Sequence, residues 1–217
     1  MRRSRLDPRV LLALLALVLL AGMVALLTIG GPAASPTGSS QSARQSGFHS
    51  AGVLSPPRPA PPLALKNNLG QPVSIDAYRG KAVLVTFLYT HCPDTCPLVT
   101  ANLRVAQNLM GPAVAARAQV IAVSVDPRGD TPGAVAAFLA RHRMTGRMQY
   151  LVGSASQLAR VWSAWGVGSE RDAQRPELVN HSGLVYGITA SGRQTTIYAA
   201  DFQPADIAHD VPLLASR

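Results

Sequence analysis

Cys92 and Cys96 are the only cysteines of this 217-residue chain, and they stand four apart in Tyr89-Thr90-His91-Cys92-Pro93-Asp94-Thr95-Cys96-Pro97. Two sulfurs so spaced can close a disulfide, exchange electrons with other thiols, or hold a soft metal. If the segment is helical, residues i and i+4 share a face with Cβ atoms about 5–6 Å apart. A relaxed disulfide has its Cβ atoms about 3.8 Å apart, so a bridge needs the loop to adjust. A metal relaxes that demand, because two bonds of about 2.3 Å let the sulfurs stand farther apart. A helix N-terminus favours thiolate over thiol, and both metal binding and thiol exchange need the thiolate. Two thiolates suit Cu(I), and an added imidazole also suits Cu(II). Structural zinc sites want four protein ligands.

The histidines are His49, His91, His142, His181 and His209. His181 lies in Asn180-His181-Ser182-Gly183, just before an apolar stretch. If the sheet is of thioredoxin type, the loop entering that strand faces the cysteine loop, which makes His181 the best-placed third ligand. His91 adjoins Cys92, but sequence neighbours often point apart. His49 reads as part of a tether, His142 as a surface residue between Arg141 and Arg143, and His209 as part of a tail helix.

The elements that must position these residues follow from periodicity. Ala82 to Leu88 is a continuous apolar run rich in β-branched residues, expected as a strand buried on both faces. After the cysteine loop, Val99, Leu103, Ala106 and Met110 recur at helical spacing until Gly111-Pro112. Gln119 to Val125 is a second buried strand. Thr131 is an expected N-cap with Pro132 at the first helical position. Leu158, Val161, Trp162 and Trp165 form one side of a third helix that Gly166 stops. Leu184–Thr189 and Gln194–Ala199 read as a hairpin, and a tail helix from Pro204 should break or kink at Pro212. This order predicts an α/β, thioredoxin-like three-layer sandwich with a mixed sheet. The polar stretch from Gly168 to Glu177 leaves the approach to His181 undefined.

Charge and hydropathy divide the chain. Residues 1–60 carry six Arg against Asp7, a net of +5, and the remainder carries 14 basic against 10 acidic residues, +4. No dense basic cluster with interleaved aromatics appears, so no nucleic-acid partner is expected. Val10 to Ile29 is a run of 20 residues without charge, preceded by Arg2, Arg3, Arg5 and Arg9. A run that long spans about 30 Å as a helix, and the flanking Arg residues orient it with its N-terminus in the cytoplasm. The organisation expected is a basic N-terminus (1–9), one transmembrane helix (10–29), a flexible tether rich in Gly, Pro, Ser and Ala (30–60), and a folded domain (61–217). The competing reading of the apolar run is a cleaved signal peptide, but the run exceeds the usual signal core. Either way the domain is extracytoplasmic, where free thiols tend to be oxidised. Eighteen of the 20 basic residues are Arg, a composition that points to a high-GC bacterium and so to its inner membrane.

Phe87 to Pro97 resembles the signature of the Sco (SenC-type) family of membrane-tethered copper chaperones. Val123-Ser124-Val125-Asp126-Pro127-Arg128-Gly129-Asp130-Thr131-Pro132 resembles that family's second block, and Asn180-His181-Ser182 its third. The resemblance implies one copper, Cu(I) or Cu(II), per chain, held by Cys92, Cys96 and His181. It also implies a role in assembling the dinuclear copper centre of cytochrome c oxidase subunit II, or of another copper-dependent extracytoplasmic protein. That role is delivery of copper, reduction of the centre's cysteines, or both. Asp126 maps to an acidic position of the second block, where it would orient a ligand or a partner. An Asp-Pro turn and a helix cap account for Asp126 and Asp130 equally well.

A metallochaperone, not an enzyme, is the leading expectation. The alternative is an extracytoplasmic thiol–disulfide oxidoreductase with Cys92 and Cys96 as a redox-active disulfide. Common redox pairs of this fold have two intervening residues, and this chain has three. A thiol peroxidase fits the vicinal pair poorly, and a plain structural disulfide leaves His181 without a role.

Overall fold

The computed structural model describes residues 47–175 and 178–217. The expected anchor at 10–29 lies outside the described residues, as does the expected tether up to residue 46. Among the described residues no helix is long and apolar enough to cross a membrane.

In chain order the elements are β1 (Gly52–Pro59), β2 (Ala64–Asn67), β3 (Pro72–Ser74), β4 (Ala82–Leu88), α1 (Thr95–Leu109) and a short α2 (Gly111–Ala115). Then come β5 (Ala118–Ser124), α3 (Pro132–Arg141), β6 (Met148–Val152) and α4 (Ala155–Trp165). The chain closes with β7 (Ser169–Arg171), β8 (Val179–His181), β9 (Val185–Ile188), β10 (Arg193–Tyr198) and α5 (Pro204–Ala215). Eight strands form one mixed sheet in the order β1-β10-β9-β4-β5-β6-β2-β3, and β7 and β8 form a separate ribbon.

The sheet is built around β4, buried at every residue. β4 runs parallel to β5, from Ala82 opposite Ala118 to Leu88 opposite Ser124, and β5 runs parallel to β6. The apolar runs are continuous because both faces are covered. On one face Gly187 of β9, opposite Leu84, lies under Leu214 of α5. Tyr150 of β6 meets Phe138 of α3 on that same face. On the other face Trp165 of α4 packs against Phe87 and Tyr186. The result is the three-layer α/β sandwich of thioredoxin type.

Local signals set the helix boundaries. Thr131 caps α3 by accepting from Ala134 N–H, with Pro132 in the first turn. Ser154 and Gln157 form a capping box on α4, and Gly166 closes it in the left-handed conformation, φ 67°. The tail departs from expectation. α5 runs through Pro212 without ending there. Ile207, Val211 and Leu214 are buried on both sides of the proline, and Arg117 bonds the Ala215 carbonyl at 3.0 Å, so packing holds what one lost backbone bond would release.

The amino-terminal boundary also moves. Residues 52–59, expected in the tether, form β1 against β10, and Phe48 is buried. Edge pairing uses backbone groups and tolerates proline, so a segment poor in bulky apolar residues still joins the sheet.

A Cβ at Gly187 would sit 2.9 Å from Leu214 Cδ1 and clash with Thr196 Oγ1. Gly187→Ala is expected to lower stability by about 1–3 kcal/mol, read as a lower urea midpoint; an unchanged midpoint would show that α5 shifts freely.

Candidate metal centre

The cysteine loop leaves the carboxyl end of β4 and turns into α1. Asp94 is the N-cap of that helix, its side chain accepting from Thr95 N–H. Cys96 lies in the first turn, fully buried, and Cys92 sits at the mouth with 8% of its surface exposed. The two thiols are free. The Cys96 backbone N–H donates to Cys92 Sγ at 3.3 Å, so the outer sulfur rests on the positive end of the helix.

That placement splits the pair electrostatically. The Cys96 side chain, donating to Cys92, is the main cause that brings the Cys92 thiol down to about 6, and burial opposes it. Cys96 moves the other way, pushed up by its bond to the Cys92 sulfur and then by burial.

His181 arrives at the end of β8. The polar stretch that precedes it in sequence forms β7, which pairs Ser169 with His181. Ser169 Oγ donates to the Val125 carbonyl at 3.0 Å, tying the ribbon to the end of β5. His181 Nε2 lies 3.7 Å from Cys96 Sγ. Its Nδ1 lies 3.2 Å from the Ser182 carbonyl. A carbonyl only accepts, so Nδ1 carries the proton and Nε2 keeps its lone pair. Burial holds His181 below its ordinary pKa, with the Ser182 carbonyl pulling back. The Tyr89 ring stands edge-on to the imidazole, centroids 5.8 Å apart.

The donor chemistry fits a soft ion. A sulfur at about 2.3 Å and a nitrogen at about 2.1 Å from one tetrahedral metal stand about 3.6 Å apart, close to the 3.7 Å between Cys96 and His181. Among the described residues, however, no three His, Cys, Asp or Glu side chains are drawn together tightly enough to enclose an ion. The centre is two adjacent pairs sharing Cys96. Tyr89, Cys92, Pro93, Asp94, Arg175 and His181 border a cleft of about 270 Å³.

The other histidines lie elsewhere. His91 is exposed, 3.1 Å from Thr90 Oγ1. His142, expected on the surface, packs on Phe138 at 4.5 Å. His49 stacks on His209 at 3.7 Å. Asp126 is buried in the turn after β5 and accepts from Arg128 N–H at 3.2 Å. Together with His91 it crowds Gly129, so it borders the cysteine loop on the side of His91.

Asp130 is the residue whose part the sequence did not disclose. It is no helix cap, since Thr131 fills that position. It is buried and accepts three bonds, from Thr90 N–H at 2.8 Å, Ser124 Oγ at 2.7 Å and Tyr150 OH at 2.8 Å. Burial raises its pKa, and the Ser124, Thr90 and Tyr150 bonds restrain the rise. A readable signal was an Asp placed just before a complete Thr-Pro cap, with no local work left to do.

Comparison with known proteins gives a consistent picture. The SCO1/SenC family model matches residues 55–216. A structure of Bradyrhizobium japonicum ScoI with copper bound is similar with a TM-score of 0.63 and 26% identity, covering 71% of this chain and 98% of that one. Apo Sco1 from Thermus thermophilus is similar with a TM-score of 0.66 and 28% identity, covering 78% and 97%. The bovine mitochondrial SCO2 homologue is 32% identical over 126 residues, 56% of this chain and 47% of that protein. The chain spans about half the length of the curated relatives it matches.

Two outcomes follow from the geometry. Alkylation of Cys92 should titrate with a midpoint near 6, with thiolate above it, and Cys96→Ala, which removes the side-chain donor to that sulfur, should raise the midpoint; a midpoint unmoved in the variant would exclude the Cys96 side chain as the cause. Asp130→Ala strands three donors and should cost about 3 kcal/mol by urea denaturation. Asp130→Asn should cost less, because both hydroxyls can reverse and accept. Since burial raises the Asp130 pKa, the stability it lends is present at acid pH and lost as pH rises through the folded value. The Asn variant should lack that acid-side gain.

Proposed function

Because the chain belongs to the SCO1/SenC family, we propose that it is a copper-binding metallochaperone that takes its cargo on Cys92, Cys96 and His181. The observation that carries this reading is the Cys96–His181 pair, 3.7 Å apart, with the second sulfur resting on the same helix end. Copper bound there would be held by two thiolates and one neutral imidazole, a donor set that suits Cu(I) and accommodates Cu(II). The structural relative from Bradyrhizobium japonicum binds copper.

Each residue has a definable task. The helix N-terminus stabilises the Cys92 thiolate. Cys96, buried and harder to ionise, gives up its proton when a cation takes over from Cys92 as its partner. The Ser182 carbonyl fixes the His181 tautomer so that Nε2 faces the sulfur, and Tyr89 limits how far the ring turns. Asp126 borders the loop and bears on its orientation. The recipient is the dinuclear copper centre of cytochrome c oxidase subunit II or another extracytoplasmic copper protein. Residues 10–29 would anchor the chain in a bacterial inner membrane with the domain outside the cytoplasm.

The unequal acidity of the thiols favours a second reading, reduction of a partner disulfide. The Cys92 thiolate would attack a disulfide sulfur and release one thiolate. Cys96 would then lose its proton, displace the other partner sulfur, and leave a Cys92–Cys96 disulfide. Two partner thiols are formed, and the chain supplies both electrons.

Copper titration of the reduced full chain separates the readings. One copper per chain is expected. Cys92→Ala, Cys96→Ala and His181→Ala should each weaken binding by more than the roughly 10–100-fold typical of a residue behind the ligands. Parent-like affinity in His181→Ala would remove it from the site. Absence of copper binding together with turnover of disulfide substrates would leave the reductase reading standing.

A further inference from the structure

The two ends of the parallel strands carry opposite charge. Register places the starts of β4, β5 and β6, the β9–β10 turn and the end of β1 on one edge, away from the cysteines. Arg58, Arg79, Lys81, Arg117, Arg141 and Arg193 stand exposed along it. An acid there, Asp76, is paired with Arg79 at 2.9 Å. The other end is more acidic: Asp94, Glu170 and Asp206 stand there with the buried Asp126 and Asp130, against Arg128 and an Arg175 that pairs with Asp172 at 3.6 Å.

The first described residues run along α5. Phe48 lies under the Arg217 guanidinium, 4.7 Å from its ring centre, beyond the last turn of α5. His49 has already reached Asp210, donating its N–H at 2.9 Å, and Gly52 pairs with Ile197 near the cysteine end of β10. From residue 48 to 52 the chain therefore climbs along α5, away from the basic edge.

We infer that this basic edge is a docking surface for anionic phospholipid headgroups, which points the cysteine end away from the bilayer. Clustered Arg and Lys are drawn to an anionic membrane surface within about a Debye length, while the acidic end is repelled. The inference rests on residues 10–29 acting as the anchor, which would keep the domain close to a bilayer surface.

The test uses the full chain with Ala116→Trp, an exposed position just before β5, in vesicles carrying a headgroup spin-labelled quencher. Native Trp162, bonded to the Ser124 carbonyl at the cysteine end, and Trp165 also emit, so the parent chain in the same vesicles supplies the signal to subtract. In phosphatidylcholine vesicles containing phosphatidylglycerol, emission from the new indole should be quenched about twofold more than in phosphatidylcholine alone. The difference should vanish at about 0.5 M salt and in Lys81→Glu/Arg141→Glu/Arg193→Glu with a parent-like circular dichroism spectrum. Equal quenching in both lipids, or no response to charge reversal, overturns the inference. Failure of the anchor shows separately, as a chain that does not float with phosphatidylcholine vesicles. Flotation with anionic vesicles alone would then still support the surface, and flotation with neither would overturn it.

Discussion

A buried carboxylate has to find donors, because an uncompensated charge in the interior is among the costliest defects a fold can hold. Asp130 finds three, and they come from three different places. Thr90 N–H belongs to the cysteine loop, Ser124 ends β5, and Tyr150 sits in the middle of β6. Satisfying Asp130 therefore fixes the loop against two strands at once. The cysteines follow two and six residues after Thr90, so their position is set by a residue that touches neither sulfur.

The histidine is delivered by a different device. The β7–β8 ribbon gives Val179 to the core and is aligned by backbone pairing and, among the described residues, by the bond from Ser169 to the Val125 carbonyl. Beyond it, Gly183 passes so close to Thr95 and Ala200 that a Cβ would stand 2.9 Å and 3.1 Å from them. The cysteines thus sit on a helix start while the imidazole sits on a separate ribbon.

What could be read in the sequence was whatever depends on local pattern. β4 and β5 announce themselves because burial on both faces demands unbroken apolar runs. α3 and α4 announce themselves through Thr131-Pro132 and Gly166. The cysteine pair and His181 were legible as soft donors, and the fold places Cys96 and His181 side by side. What escaped depends on long-range pairing. β1 carries Pro56, Pro57 and Pro59 and looks like linker until β10 offers it an edge. β6 is five residues long and has no cap of its own. Two partners of Asp130 lie 40 and 20 residues away, beyond any local window, and only Ser124 is near it in sequence. Pro212 misled because its local cost is real but smaller than the packing on either side of it.

The charge of the domain shows why a sum is a poor guide. A net of +4 over residues 61–217 pointed to no partner, yet it conceals a division between the two ends of the sheet. Part of that division has a cause in stability. α1, α3, α4 and α5 all start at the cysteine end, so their dipoles point the same way. Acids such as Asp94 and Asp206 suit their starts, and bases such as Arg141 suit their finishes. The same alignment favours the Cys92 thiolate, so charge separation and thiol activation share one origin in the crossover topology. Arg79 follows the short 3-10 helix Ile75–Tyr78, but Arg58, Lys81 and Arg193 do not belong to this account, since they lie on β1, before β4 and on β10. No helix end needs them there. Their accumulation on one edge is what calls for a partner of opposite charge.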